Sequence, residues 1–154
     1  MNRRAAIYAG ILAGIVATLV EVALWAVFTS ALPAILFRDA RLAAAIVMDR
    51  GVLPPPATFD ATVMLVATLV HFALSILYAL LLAGMLSNRR GMNALLAGAA
   101  FGLGLYALNM YGFTLVFPWF ETARDWITVA AHVTFGVTAA GAYRLLVRGK
   151  ATRA

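Results

Sequence analysis

Four long apolar runs dominate this chain and leave it few ways to fold. Residues 5–32 carry a single charge, Glu21, residues 61–86 carry none, and residues 92–120 are again free of Asp, Glu, Lys and Arg. The fourth span, about 124–147, has an apolar run of 18 residues from Trp126 to Tyr143 that extends to Val147 if Arg144 snorkels toward the headgroups. About 20 apolar residues in a helix cross the roughly 30 Å of bilayer hydrocarbon. Four such runs in 154 residues leave almost no polar surface to face water. Composition agrees, since 64% of the residues are hydrophobic and 12% charged, against about half and a quarter in soluble domains. The chain reads as one all-α domain, residues 1–154, forming a membrane-spanning four-helix bundle with an external connection over 33–60.

The net charge of +6 does not point to nucleic acid, because the basic residues gather at the ends of the apolar runs, where a membrane places them. The lipid bilayer is the partner they imply. Four spans put both termini and the turn at 87–90 on one side, with eight basic residues there and four on the other. The positive-inside rule makes the termini cytoplasmic. The apolar run after Arg3 and Arg4 is too long for a signal-peptide core and reads as a retained first helix. Without cysteine the chain offers no disulfide, thiolate metal site or thiol nucleophile.

Within the connection, Leu42, Ala45, Ile46 and Val47 stand beside Arg38, Arg41 and Arg50, a pattern that predicts a short interfacial helix over Asp39 to Arg50. Gly51 and Pro54-Pro55-Pro56 end it. Trp119, Phe120 and Trp126 have the placing of interfacial anchors. Phe28, Thr29 and Pro33 recur as Phe113, Thr114 and Pro118, and His71 recurs as His132, so the chain can be read as two helical hairpins in tandem.

An ionisable group in hydrocarbon costs at least about 2.5 kcal/mol and normally faces a bundle interior or cavity. Glu21, His71, Asn109 and His132 fall at similar depth, one per span, and predict a buried midplane polar layer that binds a cofactor or small ligand. Spans two and four are diagonal and parallel in an up-down bundle, so His71 and His132 could serve as axial ligands of a haem b, with Asn109 or Glu21 bonded to their other nitrogens. A Glu-His-His metal site, a quinone pocket and a proton-coupled site use the same residues. The bland alternative is a set of interhelical hydrogen bonds with no ligand. Gly10/Gly14 and Gly98/Gly102 are small-xxx-small pairs that let backbones approach. The glycine pattern in GAAFGLG has no preceding strand and is no dinucleotide fingerprint.

RDARLAAAIV, VLPPPATFD, His71 with Ser75 and Tyr78, NMYGFTLVFPWF and Ala131-His132 together resemble a family of small four-helix bacterial inner-membrane proteins of uncharacterised function, often auto-named "sodium:proline symporter". The resemblance spans most of the chain and implies a bacterial inner-membrane location. Four spans are too few for a sodium/solute symporter of the inverted-repeat kind. The expectation is therefore a ligand- or cofactor-binding membrane protein, or a subunit of a membrane redox complex, without enzymatic activity of its own. The alternatives are a non-catalytic scaffold or accessory subunit, and proton- or cation-coupled transport as a homo-oligomer.

Overall fold

The computed structural model describes residues 1–86 and 91–151, with side chains as far as Arg148 in the last helix. The basic turn at 87–90 and Arg153, both counted in the charge asymmetry, lie outside the described residues. Every regular element among the described residues is helical: α1 (Arg3–Phe28), α2 (Ala34–Met48), α3 (Ala61–Met85), α4 (Met92–Ala107) and α5 (Trp126–Ala151), with short 3₁₀ and π turns between them. The helices α1, α3 and the stretch Met92–Leu115 are long and apolar enough to cross a membrane.

Side chains set the helix boundaries. Asn2 Oδ1 accepts from the Ala5 amide, Asp60 Oδ1 from Val63 and Asp125 Oδ1 from Thr128, so α1, α3 and α5 each begin on a capped amide. α1 stops at Phe28, four residues before the apolar run ends. Thr29 turns its hydroxyl back on the Trp25 carbonyl at 2.8 Å and the chain leaves in extended form. At the other end of the bundle, Arg144 donates to the Leu86 carbonyl at the end of α3 rather than simply snorkelling to solvent.

The run 92–120 is not one helix, contrary to the sequence expectation. α4 ends at Ala107, a π turn covers Leu108–Gly112, and 3₁₀ turns follow at Phe113–Leu115 and Pro118–Ala123. A π turn frees carbonyls from the α-helical ladder, and here the Met110 carbonyl accepts from Arg124 Nε at 2.6 Å and from the Thr114 hydroxyl at 3.2 Å. The Arg124 guanidinium also bonds Thr114 Oγ1 and lies over the Tyr111 ring. One arginine, two residues before α5, thus holds the irregular end of α4.

The helices pack in the spatial order α3, α1, α5, α4, and α3 also touches α5. Small residues make this possible. A Cβ on Gly10 would sit 2.8 Å from the Ser75 carbonyl oxygen, and one on Gly14 would sit 2.8 Å from Ser75 Oγ, so α1 lies directly on α3. Gly98 and Gly102 lie in the same way against Gly136 and the His132 backbone of α5. Each hairpin is sealed by the small-xxx-small pair of its first helix against the histidine-bearing helix that follows. The two halves are nonetheless not joined symmetrically. A two-fold axis would require α3 and α4 to pack as closely as α1 and α5, and they do not.

α2 begins earlier than the sequence suggests, at Ala34, and packs at one end of the bundle on the first turns of α3, with Ala40, Ala43, Ala44 and Met48 against Val63, Val66 and Ala67. Arg41, only 9% exposed, donates to the carbonyls of Val52 and Thr58 and ties the following loop beneath the helix. Trp119 Nε1 donates to the Leu42 carbonyl at 3.0 Å, and Arg50 stacks on its ring. Trp119 and Phe120 therefore pack on α2 instead of pointing outward as anchors, while Trp126 stays exposed against Phe28. Replacing Arg41 by methionine removes two charged hydrogen bonds of about 1.5–3 kcal/mol each. Proteolysis within residues 49–60 is expected to accelerate about tenfold or more, with the rest of the chain unaffected.

Candidate functional site

The side chains of α1, α3 and α5 that face the space between them follow one rule of spacing. Gly14, Thr18 and Glu21 on α1, His71, Ser75 and Tyr78 on α3, and Thr128, His132 and Phe135 on α5 each stand at i, i+4 and i+7, which is one helix face. These three stripes, the π turn and α2 enclose a cavity of about 570 Å³. Glu21, His71, Asn109 and His132 all line it, as do Thr18, Ser75, Tyr78 and Thr128. Most of the remaining lining is apolar, with Phe113, Phe117, Phe120 and Phe135 prominent.

α2 forms the roof through Asp39, Leu42, Ala43, Ile46 and Val47. Tyr78, Leu105 and Phe135, all buried, lie at the far end. Three lining residues are also exposed, Val47 on α2, Ala73 on α3 and Phe113 beyond α4. They mark a mouth on the side where α3 and α4 do not pack. Counted from the observed helix ends, Glu21 lies seven residues from Phe28, His71 ten from Ala61 and His132 six from Trp126. At 1.5 Å per residue the polar groups lie about 9 to 15 Å below the α2 end, with His71 at the depth its apolar run implies and Glu21 and His132 shallower than the limits of their runs would place them.

The four expected residues meet one cavity but form two groups. In the first, Tyr78 Oη donates to Asn109 Oδ1 at 2.8 Å, and Asn109 Nδ2 stands 3.1 Å from His132 Nε2. His132 Nδ1 lies 2.8 Å from the Thr128 carbonyl, which can only accept. Nδ1 therefore carries the proton and Nε2 accepts from Asn109, so the imidazole is neutral with both nitrogens engaged. Tyr78 is seven residues beyond His71 along α3. Helical side chains lean toward the N-terminus, which carries its hydroxyl back toward the α2 end and up to Asn109.

The second group is on the α1 side. The Thr18 hydroxyl is 3.4 Å from His71 Nε2, and Gly14 carries no side chain where that ring sits. Glu21 is half-buried and makes no hydrogen bond or ion pair to a described residue. The charged groups close enough to act on it are Asp39, Asp125 and Arg38. Arg38 is committed to Asp39, Nε to Oδ1 at 2.6 Å. Burial pushes the Asp39 carboxyl above its ordinary range, and the Arg38 bond opposes that shift. Thr128 is 5% exposed, and its hydroxyl oxygen is buried at the cavity wall with no hydrogen-bond partner.

Among the described residues no three of His, Cys, Asp and Glu gather closely enough to hold a metal ion. His71 and His132 contact different helices, and His132 could ligate an iron through Nε2 only by giving up Asn109. Tyr78, Thr18, Ser75 and Thr128 were not singled out for the site by polarity alone, although the helical spacing marks them, Ser75 and Tyr78 from His71, Thr18 from Glu21 and Thr128 from His132. No family model, no curated protein and no solved structure matches the chain.

Proposed function

We propose that the chain is a four-span membrane protein, with α5 as the fourth crossing, whose cavity binds a small, largely apolar molecule that enters sideways from the bilayer between α3 and α4. The supporting observation is that every polar residue expected in the polar layer lines one cavity of about 570 Å³, within the range of roughly 300–1,000 Å³ typical of small-molecule sites. A set of structural hydrogen bonds would be expected to fill its own space, whereas here Glu21 and the Thr128 hydroxyl face the cavity region unpaired. The resemblance noted above supports a bacterial inner membrane as the setting, and the basic asymmetry supports cytoplasmic termini with α2 at the periplasmic surface. On this reading a cysteine at position 57 reacts with a membrane-impermeant reagent added from the periplasm and one at position 92 does not.

The binding reading is tested with a benzophenone-bearing lipophile irradiated in membranes containing the protein. Adducts are expected on lining residues such as Leu74, Met110 and Phe135, and are expected to fall when Leu74→Trp fills the cavity. Adducts confined to the outward leucines Leu65, Leu69 and Leu81 would contradict it.

A further inference from the structure

The electrical character of the cavity narrows what it can hold. Its lining contains two carboxyl groups, Glu21 and Asp39, and neither lysine nor arginine. Asp39 is already paired with Arg38, which leaves Glu21 as the carboxyl with no partner. A phosphate or carboxylate head placed here would meet like charge in a medium where electrostatic interactions are poorly screened. A cation would meet opposite charge, and the walls add to that attraction. Phe113, Phe117, Phe120, Phe135 and Tyr78 line the same space, and a desolvated cation near aromatic faces is drawn to the negative face of each ring. The buried, unpartnered Thr128 hydroxyl on the opposing α5 wall is a second polar group without a protein partner.

We infer that the ligand is a lipophilic cation, of the organic ammonium or phosphonium class, whose charge lies against Glu21 and whose apolar groups lie among the phenylalanines. This rests on the pocket reading above and adds the class of ligand. An intramembrane carboxylate is costly, and with Arg38 committed to Asp39 a counter-ion brought by the ligand offsets that cost.

The test is calorimetric titration of tetraphenylphosphonium into the full chain in a mild non-ionic detergent, with decylubiquinone as an uncharged comparison. Saturable binding is expected, weakened at least tenfold in Glu21→Gln, retained within about threefold in Glu21→Asp, and unchanged in Asp49→Asn, which alters an exposed carboxylate away from the cavity. Gel filtration of each variant checks the fold, and loss in Glu21→Gln with retention in Glu21→Asp separates charge from folding. Wild-type protein that fails to bind tetraphenylphosphonium, or a Glu21→Gln variant that binds it as well as wild type, overturns the inference. If decylubiquinone then binds saturably, or the benzophenone probe labels the lining, the pocket stands with a neutral ligand. If none of the three probes engages the cavity, the pocket reading falls with it.

Discussion

Gly102→Val should destabilise the protein severely, while Gly104→Ala, two residues away on the same helix, should leave it nearly unchanged. A Cβ on Gly102 would overlap the His132 carbonyl oxygen and the backbone of Val133, atoms that cannot swing aside. A Cβ on Gly104 meets nothing within 4 Å. Overpacking of a well-packed contact costs about 1–3 kcal/mol and at times more, and here the obstacle is backbone, so the upper end applies. Gly104→Ala should stay within about 0.5 kcal/mol, or gain slightly from the better helix propensity of alanine. Thermal unfolding in detergent followed by circular dichroism reads both. Because Gly102 also sets the distance between α4 and His132, the proposed ligand binding should be lost in the valine variant along with stability.

Asn109→Leu is the second large effect. Asn109 joins three parts of the bundle, accepting from Tyr78 on α3 and donating to His132 on α5 from its own π turn. Leucine leaves a buried hydroxyl and an imidazole nitrogen without partners, at about 1–3 kcal/mol for each group left unpaired. The double variant Asn109→Leu with Tyr78→Phe should cost less than the sum of the two single changes, with a coupling of about 0.5–3 kcal/mol, because the hydroxyl no longer needs a partner. Strict additivity in the cycle would show that the Tyr78–Asn109 bond does not form in the folded protein.

Much of this arrangement is legible in the sequence because hydrocarbon makes polar residues expensive. Glu21, His71, Asn109 and His132 stand out on that ground alone, and the helix α2 shows in the apolar face beside Arg38 and Arg41. The glycine pairs announce their packing role because only small residues permit such contact. The π turn at Leu108–Gly112 was hidden, since a reading based on 3.6 residues per turn treats a continuous apolar run as a continuous helix. What stabilises the π turn is Arg124, fourteen residues from the carbonyl it binds. The earlier end of α1 is likewise set by one hydroxyl, that of Thr29, within a run that remains apolar beyond it. The gap between α3 and α4 was not visible either, because consecutive helices joined by a short turn are expected to pack together. Composition says which faces are apolar, but not which pair of them stays open.

If the cavity bordered by α2 is a binding site and not an empty consequence of helix packing, the protein should leave the membrane with a ligand in it. Native mass spectrometry of the full chain, taken from membranes in mild detergent, measures this directly. One small non-covalent adduct per chain is expected, lost when Leu74→Trp fills the cavity and retained when the outward-facing Leu81 is replaced by tryptophan. Wild-type protein that carries no such adduct, or an adduct equally abundant in the filled variant, would contradict it.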